Sequence, residues 1–139
     1  MKTLKIHTDG GARGNPGPAA VGVVFDIDEW RDTHSRCLGT ATNNVAEYTA
    51  VIDALEKIPA IVAEQGMPAS VMFYLDSQLV VRQISGQYRV KEPGLQLLNA
   101  RVLKHIRELG IPCNFEHIPR AQNALADALV NQALDASAA

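Results

Sequence analysis

The segment Ile6–Phe25, IHTDGGARGNPGPAAVGVVF, joins two β-patterned runs through a glycine- and proline-rich bend. From Leu4 to Thr8 every second residue is apolar or β-branched, the period of a half-buried strand, and just beyond the run stands a carboxylate, Asp9. A glycine- and proline-rich bend follows. Phosphate-cradling loops of the dinucleotide or P-loop kind lead from a strand into a helix N-terminus. This bend leads instead into AAVGVVF, a second strand, which counts against nucleotide binding by that route. Gly10, Gly11, Gly14 and Gly17 read as hairpin residues able to take positive φ, with Pro16 and Pro18 stiffening the turn. Asp9 is left without a structural reason.

Outward from that segment, DTHSRCLG continues in β-rich style, so the first forty residues read as three strands in an antiparallel meander. The period then changes. In NNVAEYTAVIDALEKI, Val45, Tyr48, Ile52, Leu55 and Ile58 recur at three- and four-residue steps behind an asparagine able to cap a helix. SVMFYL is a short buried strand, and Ser77 can cap a helix running to about Ser85. Leu95, Leu98, Val102, Ile106 and Leu109 mark another amphipathic helix, CNFEHI a fifth strand and NALADALVNQAL a closing helix. The order βββ-α-β-α-α-β-α predicts an α/β protein. Its five-stranded mixed sheet has three antiparallel strands, then two parallel strands reached by helical crossovers, flanked by about four helices. One domain is expected over residues 1–135, with 136–139 a disordered tail.

With 139 residues, 47% of them hydrophobic, the chain can bury roughly two-thirds of its unfolded surface in one core. No run approaches the roughly 18 apolar residues of a membrane span, and Asp9 precedes any signal-like stretch, so a soluble, cytoplasmic protein is expected. Cys37 and Cys113 have neither metal-ligand spacing nor the density of a disulfide scaffold. The net charge of −2 excludes a protein that coats nucleic acid by charge alone. Between Val80 and Leu109, however, six basic residues (Arg82, Arg89, Lys91, Arg101, Lys104, Arg107) face two acids. That stretch is either a surface for phosphates or an ordinary solvated helix face.

Three further acids resemble Asp9 in context. Glu47 shares its helix side with Val51, Ala54 and Ile58, the stripe that packs on the sheet. Asp76 closes VMFYLD at the carboxyl end of a strand, where α/β sheets bind ligands. Asp127 lies with Ala124, Val130 and Leu134 on one side of the last helix. Any one acid alone has a structural explanation as a cap, turn residue or ion-pair partner. Four in matching context point to a shared site.

TDGGARGNPGPAAVGVV, TATNNVAEYTAVIDAL, YLDSQLVV and IPRAQNALADALVNQA resemble, in order and spacing, the successive motifs of type 1 ribonuclease H, from about Leu4 to Leu134. The resemblance implies the ribonuclease H-like fold and a pair of divalent cations held by Asp9, Glu47, Asp76 and Asp127. The chemistry independently favours cations: two carboxylates about 4 Å apart repel by roughly 4 kcal/mol at an effective dielectric of 20. Hard oxygen ligands without cysteine or histidine select Mg2+ or Mn2+ over zinc. One ion then activates a water for in-line attack while the other stabilises the departing oxygen.

The implied activity is endonucleolytic cleavage of the RNA strand of an RNA/DNA hybrid, leaving 3′-hydroxyl and 5′-phosphate ends. Hybrid recognition by groove shape and 2′-hydroxyls calls for short neutral groups. Asn15, Asn43, Asn44 and Gln78, with the backbone of Gly10 and Gly11, are implied to touch the minor groove, and Thr42 to bind a phosphate of the DNA strand. Plain helix capping is the alternative for Asn43 and Asn44. Two departures stand out. The basic, aromatic helix and loop inserted in some members is replaced by GQYRVKEPG, where Tyr88, Arg89 and Lys91 offer partial substitutes. For the group near the fourth carboxylate that aids protonation or product release, both His117 and Arg120 are candidates. Arg120 resembles the arginine of other members. Competing functions are another nuclease or strand-transferase on the same fold, and an inactive hybrid-binding module; clustered acids beside phosphates disfavour the module. A monomer without an obligate protein partner is expected.

Overall fold

A computed structural model describes residues 2–138. Strands β1 (Thr3–Ala12), β2 (Gly17–Ile27) and β3 (Trp30–Ala41) form the meander. Helix α1 (Asn43–Gln65) leads to β4 (Ser70–Leu75), and helices α2 (Gln78–Ile84) and α3 (Pro93–Leu109) lead to β5 (Cys113–His117). A 3-10 turn over Arg120–Asn123 opens the last helix, α4 (Ala124–Ala138). The sheet order is β3-β2-β1-β4-β5. β1–β2 and β2–β3 are antiparallel, and β1–β4 and β4–β5 are parallel, as the element order requires.

The continuous apolar run of β2 follows from burial on both faces. Val21, Val23 and Phe25 join the main core with Leu4, Ile6, Val51, Ile58 and Phe73, whereas Ala20 packs under Val130 and Leu134 of α4. Edge strand β3 is covered only in part, by α4 and by Asp53 of α1, and its Arg31, Asp32, His34 and Arg36 keep that edge charged and wet. Among the described residues no helix is long and apolar enough to cross a membrane.

Two expectations are corrected. The cap of α1 is Thr42, whose hydroxyl accepts from the Val45 amide at 3.2 Å, not an asparagine. α1 runs beyond the Val45–Ile58 pattern, through Pro59 to Gln65. Pro59 forfeits one backbone hydrogen bond, and burial of Ile58 and Ile61 on either side offsets the loss. Residues 136–138, expected to be a disordered tail, continue α4; Ala139 lies outside the described residues.

Candidate active site

The two central strands β1 and β4 run parallel, and their last paired residues are His7 and Tyr74. Asp9, still within β1, and Asp76, just past the end of β4, stand two residues further along, where these two strands part. Glu47 reaches the same point from the opening turns of α1. That approach depends on Gly10, because a Cβ there would overlap the backbone carbonyl of Ala46. The glycine thus serves close packing of strand on helix rather than a turn; positive φ within the bend belongs to Gly14. Gly22 does the same for α4, since a Cβ there would run into the Ala126 carbonyl one residue before Asp127. Two glycines set the distances between the acids.

One carboxylate oxygen from each of Asp9, Glu47 and Asp76 lies within 4.8 Å of the others. Asp127 stands outside this triplet but lines the same cleft, of about 400 Å³, with Gly10, Gly11, Arg13, Asn43, Arg120 and Asn131. The Gly10 amide donates to Asp9 Oδ1 at 3.0 Å and to Glu47 Oε1 at 3.4 Å. Asn123, buried, donates to the Thr8 carbonyl at 2.9 Å and leans on Asp76 Oδ2 at 3.5 Å. Arg120 Nη2 lies 3.4 Å from Asp127 Oδ1, the only cation paired with any of the four acids among the described residues.

Too little positive charge is supplied, and the acids respond. Burial, then repulsion from Asp76, pushes the Asp9 carboxyl up to about 7. Burial and the neighbouring Asp9 hold Glu47 well above the usual carboxylate range. Glu47 Oε2 is buried without a hydrogen-bond partner, which a native protein tolerates only where something else supplies one. Three convergent hard oxygens, one of them orphaned, fit a small divalent cation. Cysteine and histidine are absent from the cluster, which disfavours zinc.

The neutral groups are only partly free. Asn43 Oδ1 accepts from the Ala12 amide at 2.9 Å, and Asn15 Oδ1 accepts from the Asn43 amide at 3.0 Å. These bonds pin the β1–β2 bend to the start of α1 while leaving both side-chain NH2 groups able to donate. Asn15, Thr42 and Asn44 line one depression with Glu92–Leu95. Asn44 also borders a groove with Gln87, Tyr88, Arg89 and Lys91. Gln78 is exposed at the first residue of α2. Tyr88 is held by Arg82, whose guanidinium lies 5.2 Å from its ring centre and donates to its hydroxyl at 2.9 Å. His117 ends β5, exposed, and is not part of the cleft lining; Arg120 is. Sequence reasoning missed Asn123, although its place four residues before Asp127 at the mouth of an apolar helix was a signal. Gly22 and Arg13 were likewise not singled out.

A mixed five-stranded sheet whose central strand ends, first helix and last helix converge four carboxylates defines an α/β protein of the ribonuclease H-like class. Residues 7–133 match the family model described as reverse transcriptase-like. The structure is similar to LC11-RNase H1 in complex with an RNA/DNA hybrid, with TM-score 0.91 and 44% identity over 98% of this chain and 99% of that one. The chain is 41% identical to the bifunctional protein Rv2228c of Mycobacterium tuberculosis over 99% of its own length. It is also 41% identical to ribonuclease HI of Halobacterium salinarum, over 94%. It spans 37% of the mycobacterial protein and 65% of the halobacterial one. The chain therefore belongs to the type 1 ribonuclease H branch of the reverse transcriptase-like family.

Proposed function

We propose that residues 1–135 act as one unit, a metal-dependent endoribonuclease that cuts the RNA strand of RNA/DNA hybrids and leaves 5′-phosphate and 3′-hydroxyl ends. The observation that carries this reading is the convergence of Asp9, Glu47 and Asp76 within 4.8 Å with no compensating cation of their own. A site built for stability alone would pair these charges, since an unpaired buried carboxylate costs several kcal/mol.

Asp9, Glu47, Asp76 and Asp127 would hold two Mg2+ or Mn2+ ions, which supply an activated water and charge stabilisation for in-line displacement at phosphorus. Asp9 is fixed within β1 and Asp76 directly follows β4, which suits them to set the ion positions. Glu47 orients through the Gly10 amide. Asp127 stands outside the triplet with Arg120 beside it, which suits a peripheral ligand. Arg120 is in place to neutralise charge as product leaves; His117 is the weaker candidate because the cleft lining does not include it. The free amide donors of Asn15 and Asn43, with Asn44, Gln78 and the backbone of Gly10 and Gly11, would read the minor groove, and Thr42 a DNA phosphate. The unpaired thiols Cys37 and Cys113 suit a reducing compartment, and we place the protein in the cytoplasm as a monomer.

Labelled hybrid, duplex DNA and duplex RNA, each incubated with Mg2+ and with EDTA, test this reading. Metal-dependent cleavage of the hybrid's RNA strand alone is expected. Cleavage of duplex DNA would favour another nuclease or strand-transferase on this fold, and hybrid binding without cleavage an inactive binding module.

A further inference from the structure

Helix α4 carries Asp127, Asn131 and Asp135 at four-residue spacing, a polar line along one side of the helix. Asn131 Nδ2 donates to the Asp127 carbonyl at 3.1 Å. An arginine meets each end of the line: Arg120 contacts Asp127, and Arg13 reaches from the β1–β2 bend to Asp135 Oδ1 at 2.6 Å and Asn131 Oδ1 at 3.4 Å. Both arginines line the cleft that holds the acid cluster, and they are its only basic lining residues among those described.

Arg13 sits on a stiff base with a weak partner. Its amide donates to the Pro18 carbonyl at 2.8 Å, and the bend on either side of it is tied to α1 through Asn43 and Asn15. Its ion pair, by contrast, is a surface pair, with side chains 44% and 69% exposed, a type that contributes little to stability. A phosphodiester offers the same guanidinium two oxygens in a geometry that it binds bidentately. A polyanion approaching four acids also needs positive charge at the cleft edge.

We propose that Arg13 is a substrate-binding residue, which exchanges Asp135 for a backbone phosphate of the bound nucleic acid. Asp135 parks the guanidinium and keeps it aimed along the cleft when no strand is bound. The assignment rests on the hybrid-cleaving function proposed above and adds a contact to it.

Anisotropy of a labelled RNA/DNA hybrid, run across a series of salt concentrations, reads binding; steady-state cleavage reads KM and kcat separately. Arg13→Ala should weaken binding and raise KM about 5- to 10-fold with kcat nearly unchanged, and reduce the slope of log affinity against log salt by about 1. Arg13→Lys should fall between, having charge without the planar fork. Asp135→Asn frees the guanidinium and should tighten binding about 2-fold. That gain should vanish in the Arg13→Ala background, which separates release of Arg13 from simple loss of a negative charge. If the pair is only a clasp on α4, Arg13→Ala and Asp135→Asn will lower the melting temperature alike and impair cleavage in the same direction, and the proposal falls. It falls equally if Arg13→Ala keeps the wild-type salt slope. Arg13-dependent hybrid binding without cleavage would sustain the contact while refuting the hydrolytic function. Failure of the wild-type protein to bind hybrid would overturn both.

Discussion

Asp9 is buried and the side chain of Asp53 is largely covered next to the same sheet, yet the protein treats the two carboxylates in opposite ways. Asp53, on α1, accepts from Arg36 Nε and Nη2 at 2.7 and 2.9 Å and lies 2.9 Å from His34 Nε2. Burial pushes its carboxyl up, but the Arg36 and His34 bonds more than reverse this and hold it below the usual range. Asp9 has neighbours of its own sign instead, and its carboxyl is driven up to about 7. One acid is satisfied internally and serves the fold by tying β3 to α1. The other is left short of positive charge at the end of two strands, where an external cation can complete it. A buried acid therefore signals function only when its compensation is missing.

The largest effect should come from removing the uncompensated charges. Asp9→Asn and Asp76→Asn should each lower kcat on hybrid by about 10³-fold or more, because each removes a fixed ligand charge worth several kcal/mol while conserving volume. Far-ultraviolet circular dichroism should stay native. Near-normal turnover in either variant would take that residue out of the site. Asp127→Asn should cost only about 10- to 100-fold, since a half-buried ligand outside the triplet can be replaced by amide or water; a loss as deep as that of Asp9→Asn would put Asp127 on a par with the triplet.

Next come changes that alter spacing without touching charge. Gly22→Ala drives a methyl group toward the Ala126 carbonyl and should cost about 1–3 kcal/mol in urea unfolding. It should also raise the metal concentration at half-maximal activity as Asp127 is carried away. An unchanged metal requirement would show that α4 position does not set the site.

Stability against pH sharpens the contrast, because the signs differ. The Asp9 carboxyl is raised in the folded state, so its contribution is present below the unfolded value near 4 and is lost as pH rises through about 7. Metal-free Asp9→Asn should accordingly be more stable than wild type at pH 8 and equal to it near pH 4. The Asp53 carboxyl is lowered, so its contribution is present above its unfolded value and is lost as pH falls through the folded one. Asp53→Asn should be about 2 kcal/mol less stable at pH 7, with the gap closing on acidification and cleavage unaffected. Thermal melts in EDTA from pH 3 to pH 8 measure both, and shifts of the same sign for the two variants would erase the distinction.

Much of this arrangement was legible in the residues. Period-2 and period-3.6 patterns mark the elements, and a glycine loop feeding a strand rules out the helix-headed alternatives. Asp9, Glu47 and Asp76 could be selected because acids against apolar stripes demand an explanation. What was not legible depends on contacts between distant segments. Gly10 looks like a turn residue, and only the overlap with Ala46 shows that it lets α1 approach. Pro59 argues locally against a helix that Ile61 sustains by burial. Asn123 and Arg13 are ordinary polar residues until folding sets them against Asp76 and Asp135. His117 has the chemistry of a proton shuttle, but the end of β5 leaves it out of the cleft lining.

We propose that Asp9, Glu47 and Asp76 form a site completed by divalent cations. Anomalous diffraction from crystals grown with Mn2+ and an uncleavable hybrid tests it most directly. Density is expected between these three side chains, with a second ion toward Asp127 and both against the scissile phosphate. Manganese bound elsewhere, with the three carboxylates touching no ion, would contradict it.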